Sequence, residues 1–161
     1  MDELLAAPLP AELALVTLAA ALAVSVVTDL RGRLILNVVT LPALAIASAC
    51  IFWLGGFSLL AEAGIGVLVC AGPFALMMLR GWMGAGDVKL MAVCGAVSGA
   101  AAGWPFSLAV LLYVAVAGGL QSVAWMIAAK LRGRERPKYV PYGLSIAAGT
   151  LSAFLWGGAL F

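Results

Sequence analysis

The sequence predicts an all-α polytopic membrane protein with six transmembrane helices and both termini outside, and three observations carry that expectation. Of its 161 residues 65% are apolar and 10% charged, where an ordinary soluble domain has about 25% charged. Polar punctuation divides the chain into six apolar runs, and a bilayer-crossing helix needs about 20 residues. All nine Lys and Arg fall on one face of a six-span arrangement.

The first run, 11–28, follows the acidic Met1-Asp2-Glu3. An export signal opens with positive charge, so this run is expected to be the first span and not a cleaved leader. The others are 38–54, 59–79, 87–101, 105–129 and 141–161. A lipid core offers no partner to a bare N–H or C=O, and frequent Gly and Pro argue against tilted barrel strands, so each run is expected to be a helix. Arg31 and Arg33 follow the first run, Arg80 and Lys89 flank the join of the third and fourth, and Lys130, Arg132, Arg134, Arg136 and Lys138 lie between the fifth and sixth. Asp2, Glu3, Glu12 and Glu62 fall on the opposite face. The positive-inside rule makes the basic face cytoplasmic. Five or seven spans would scatter these charges over both faces. The basic loop 130–138 reads as an ordinary positive-inside anchor in preference to a docking site for lipid headgroups or a partner.

Small residues four apart, such as Gly95 and Gly99 or Gly143 and Ala147, suit close helix contacts. Cys50, Cys70 and Cys94 sit singly inside apolar runs, a spacing that fits neither a disulfide framework nor a zinc site and suggests packing. The chain has no histidine. Histidine-ligated haem, a histidine base and histidine metal sites are excluded, and acid–base chemistry falls to carboxylates, lysine or tyrosine.

Ionisable groups at membrane depth are costly and therefore informative. Two acids stand at cytoplasmic ends of spans: Asp29 closes the first run and Asp87 opens the fourth. Asp87 follows Gly84-Ala85-Gly86, where glycines permit a turn and let another backbone approach. The plainer reading is a turn with Asp87 capping the next helix. The fourth run favours chemistry, because about 15 residues span about 22 Å, short of a roughly 30 Å hydrocarbon core, and recess Asp87 below the surface. The plainer reading of Asp29 is an ion pair with Arg33, four residues on if the helix continues. The sharper one joins the two acids: carboxylates sharing a site do not both ionise cheaply, so one keeps a proton while the other activates water. The fields at helix ends suit Asp87 to the base role and Asp29 to the acid role.

At these residues the chain resembles the type IV prepilin peptidases, membrane aspartic proteases with a Gly-x-Gly-Asp motif, in the short form of tight-adherence (Flp, Tad or Cpa) pilus systems. The resemblance rests on Asp29 followed by Ile35-Leu36-Asn37, then Gly84-Ala85-Gly86-Asp87-Val88-Lys89, then Pro141-Tyr142-Gly143. It implies one membrane-embedded peptidase domain over 1–161, catalytic Asp29 and Asp87, and a substrate approach shaped by Gly84 and Gly86. Pro141, Tyr142 and Gly143 are expected to pack around the site. It also implies a bacterial inner-membrane enzyme, active near the cytoplasmic face, that cleaves prepilin and pseudopilin leaders after a glycine. Membrane lipid is a further partner. No cofactor, metal or nucleic acid is implied, and the oligomeric state is left open. Leu36 stands where the family usually has proline, which bears on the entry to the second helix. Longer members carry a cytoplasmic domain with paired cysteines and methylate the new amino terminus; this chain has neither the pairs nor the room, so the expectation covers proteolysis and does not extend to methyl transfer.

Two other classes compete. A small transporter or proton-conducting subunit would use Asp29 and Asp87 as relay carboxylates, but it predicts acids near mid-membrane and an internal repeat, and the sequence has neither. A passive scaffold would need neither aspartate. Presenilin-like proteases share Gly-x-Gly-Asp but place a tyrosine before the first aspartate, where this chain has Thr28.

Overall fold

The computed structural model describes residues 9–132 and 141–157. The acidic start with Asp2 and Glu3, and most of the basic loop with Arg134, Glu135, Arg136 and Lys138, lie outside the described residues. Four helices make up the fold: α1 (Leu9–Gly32), α2 (Asn37–Leu79), α3 (Ala85–Leu131) and α4 (Gly143–Trp156). The all-helical expectation holds, with no strand among the described residues. Helices α1, α2 and α3 are long and apolar enough to cross a membrane, while α4 has 14 residues.

The six expected runs and the four helices differ because α2 and α3 continue through two expected boundaries, each with a break in the backbone. Gly55 (φ −145°, ψ 15°) and Gly56 (φ 62°, ψ −149°) leave helical geometry in α2, as do Ala102 (φ −152°, ψ 26°) and Gly103 (φ 74°, ψ −172°) in α3. Gly56 and Gly103 have positive φ, which glycine takes without a Cβ clash and which lets the chain reverse direction there. Across the second break the hydroxyls of Ser98 and Ser107 lie 2.9 Å apart, whereas nine residues of straight helix would separate them by about 14 Å. Pro105 follows two residues later, where its missing N–H costs little because the first turn of a helix has no internal acceptor for it. Around the first break Leu44, Ile51, Ala63 and Val67 join one hydrophobic cluster, which a straight rod would stretch over roughly 34 Å.

Packing between α2 and α3 rests on small residues. A Cβ on Gly99 would stand 2.5 Å from the Glu62 carbonyl, and one on Gly66 or Gly95 would run into the other's carbonyl oxygen. The three cysteines are free and buried, in keeping with packing roles. Their polar neighbours are satisfied: the Cys70 thiol donates to the Ser107 carbonyl at 3.2 Å, and the Thr150 hydroxyl to Cys94 Sγ at 3.4 Å. Large apolar side chains such as Trp53, Leu68, Leu112, Val116 and Leu155 face outward. A water-soluble fold avoids contiguous exposed apolar surface of that kind, whereas a hydrocarbon surround accepts it.

The joins between helices position the site. Arg33 to Leu36 leads from α1 to α2, Arg80 to Gly84 from α2 to α3, and Pro141-Tyr142 into α4; residues of all three joins line a common recess at one end. Glu62, beside Gly103 at the second break, belongs to the other end.

Candidate active site

Asp29 lies in the last turn of α1 and is buried, 6% exposed. The helix stops just beyond it because Arg33 takes a left-handed conformation, φ 52°, while its N–H still donates to the Asp29 carbonyl at 2.8 Å. Arg33 is the one non-glycine residue with positive φ among the described residues. The continued helix that an Asp29–Arg33 ion pair presupposes therefore ends at Gly32. Asp29 turns instead to α4: the Gly143 N–H donates to Asp29 Oδ2 at 2.7 Å. A side chain at 143 would not fit, since its Cβ would lie 2.9 Å from that oxygen and 3.1 Å from the Asp29 Cβ.

Asp87 occupies the first turn of α3. Gly84, extended at φ −78° and ψ 150°, precedes the helix, and its N–H donates to Asp87 Oδ2 at 3.3 Å. This is the returning half of a capping box; glycine has no side chain for the other half. The capping reading of Asp87 is thus true of one oxygen. A Cβ on Gly86 would come within 2.7 Å of the Ile35 Cβ, so the missing side chain lets the start of α3 press against the α1–α2 join.

Both carboxylates line two adjoining clefts. One, of about 450 Å³, runs past Arg33 to Asn37, Gly84 to Asp87, and Lys89. The other, of about 890 Å³, runs past Gly81 to Gly84, Ser122, Pro141 and Tyr142. In the first, Lys89 Nζ donates to Asn37 Oδ1 at 2.7 Å, tying α3 to the start of α2. Lys89 is thereby directed to Asn37. Leu36 precedes α2 at φ −79° and ψ 129°, a conformation that proline also adopts, so its departure from the family's proline leaves the helix entry in place.

The structure brings together Asp29, Asp87, Gly84 and Gly86, all singled out from sequence, and adds Gly143 as a direct partner of Asp29. It also corrects the premise for dividing roles by helix ends. Asp29 closes α1, but its carboxylate also meets the first N–H of α4, so the positive start of a second helix offsets the field of α1's own end and the difference between the two acids narrows. Two carboxylates around one recess, each with one oxygen held by a backbone N–H, have the parts for taking a proton from water and giving one to a carbonyl. Among the described residues no three His, Cys, Asp or Glu side chains gather as a metal site would require.

Known proteins resemble the chain over part of its length. A prepilin leader peptidase/N-methyltransferase of Legionella pneumophila is 29% identical over 106 residues, which cover 60% of this chain and 34% of that protein. The chain thus spans about a third of the curated relative it matches. No solved structure matches the chain at a significant level. The model of the type IV leader peptidase family matches residues 16–123, about two thirds of the chain, from within α1 through both aspartates and the glycine turn. With Asp29 and Asp87 inside that stretch and facing one recess, the chain belongs to the type IV leader peptidase family.

Proposed function

We propose that this chain is a membrane aspartic endopeptidase that removes the leader peptides of type IV prepilins and pseudopilins, of the Flp type, after a glycine at the cytoplasmic boundary of the bacterial inner membrane. The observation that carries the reading is that Asp29 and Asp87, from the end of one helix and the start of another, share both clefts at one end of the bundle. One carboxyl holds a proton and gives it to the scissile carbonyl oxygen while the other carboxylate takes a proton from water; the oxygen of that water bonds to the carbonyl carbon. Collapse of the tetrahedral intermediate breaks the C–N bond, and a proton passes to the leaving amine. An extended stretch of substrate lies across the two clefts, with Gly84 as a wall of both and Gly86 keeping the α1–α2 join close.

The proposed topology has six spans, both termini outside, and a single peptidase domain over 1–161. It draws support from the reversals at Gly55-Gly56 and Ala102-Gly103, which turn α2 and α3 back on themselves, and from Arg33 and Lys89 at the cleft end with Glu62 at the other. The Legionella relative's name includes methyl transfer, but the proposal is confined to proteolysis, because the chain has no paired cysteines of the kind the longer members carry.

Co-expression with pilin precursors from the same genome tests the reading. The expected result is a mobility shift of one precursor and a new amino terminus, found by sequencing, just after a glycine. Uncleaved precursors throughout, with the protein inserted in the membrane, would sink it.

A further inference from the structure

The start of α4 supplies the N–H that holds Asp29, so whatever fixes that start also fixes the carboxylate. Gln121, in the second half of α3, grips it at two points. Its Nε2 donates to the Pro141 carbonyl at 2.7 Å, and its Oε1 accepts from the Ser145 hydroxyl. Pro141 lies just before α4 and Ser145 in its first turn, so a single amide spans the helix entry from both sides. Packing points the same way one turn earlier on α3. At Gly118 a Cβ would meet the Tyr142 ring at 2.8 Å, and that ring sits edge-on to Phe74 with centroids 6.4 Å apart. Gln121 touches neither aspartate in the hydrogen bonds of the site; its effect passes through Gly143.

We infer that Gln121 is a positioning residue of the reaction, its side-chain amide holding the entry of α4 so that the Gly143 N–H keeps Asp29 aimed into the cleft. The role requires both a donor and an acceptor in one planar group, because Pro141 offers only a carbonyl oxygen and Ser145 presents its hydroxyl hydrogen. The inference rests on the peptidase reading above.

The chemistry of the amide sets the test. A protonated glutamic acid has the same shape with one O–H donor and one carbonyl acceptor, whereas a glutamate carboxylate has acceptors only. Gln121→Ala and Gln121→Glu would be compared with the unaltered full chain on a purified precursor, over several precursor concentrations and from mildly acidic to mildly alkaline pH. Gln121→Ala is expected to lower kcat roughly tenfold to a hundredfold with KM little changed, as misplacing a reacting group by about 1 Å does. Gln121→Glu is expected to approach the unaltered protein in acid and to fall towards the alanine variant as pH rises, each rate divided by that of the unaltered protein at the same pH. Returning one sample to acidic pH should restore the activity, which a variant that fails to fold would not do. An alanine variant with unaltered kcat, or a glutamate variant that follows alanine at every pH, would overturn the inference while leaving the peptidase reading intact. An unaltered protein that cleaves no precursor would overturn both.

Discussion

One hydrogen bond joins Asp29 to Gly143 across 114 sequence positions, and the two ends of that bond were not equally legible in the sequence. An acid at membrane depth is visible in a sequence because nothing but function or a partner offsets its cost. The meaning of Gly143 depends on which side chain lies against it, and Pro141-Tyr142-Gly143 therefore read as packing; Gln121 carried no signal at all, being one amide in an apolar run. Asp29→Asn and Asp87→Asn are each expected to abolish precursor cleavage while the protein still inserts, since an amide can neither take the proton from water nor give one as an acid. Normal cleavage by either well-expressed variant would remove that residue from the dyad. Gly143→Ala is expected to cut cleavage at least about tenfold by pushing Asp29 from its place. Gly64→Ala, where a Cβ meets nothing within 4 Å, serves as the control with unchanged cleavage.

Among the elements, the breaks in α2 and α3 fall between runs that polar punctuation had separated, 38–54 from 59–79 and 87–101 from 105–129. What composition did not reveal is that each boundary is only a two-residue break, Gly55-Gly56 and Ala102-Gly103, with helix resuming directly after it, so that no polar loop is needed. The small-residue spacing at Gly95 and Gly99 was legible as a close contact, but its partner Gly66 was not, since pattern gives a face and not its neighbour. Gly95→Ala should therefore destabilise the protein by about 1–3 kcal/mol, the usual cost of forcing a group into a packed contact. A lower thermal midpoint in detergent than that of Gly64→Ala would show it. Leu36→Pro should do the opposite. The residue already has φ −79°, and its carbonyl, which proline retains, accepts the N–H groups of Val39 and Thr40. A gain of about 0.4–1 kcal/mol is expected from the stiffer unfolded chain, with cleavage retained. A lost midpoint or lost cleavage would show that the entry to α2 is strained against proline.

For the molecule as a whole, the three joins gather the candidate site at one end, and the six-span proposal makes that end cytoplasmic. Accessibility tags in the loop 130–138 are expected to report the cytoplasm and tags at either terminus the outside; a cytoplasmic amino terminus would contradict both the span count and the side on which cleavage occurs. Cleavage is also expected to withstand metal chelators, because the chain has no histidine and its cysteines stand apart. Loss on chelation with recovery on adding zinc would refute the two-carboxylate mechanism. The long span between Asp29 and Gly143 also bears on how the molecule is made. A ribosome delivers both acids well before the N–H that fixes one of them. A nascent chain with α1 and the start of α3 in place has the proposed pair without the N–H that holds Asp29, which the docking of α4 supplies. On the two-aspartate proposal the order of synthesis is therefore also the order of assembly, and the site is complete once the last described helix packs home.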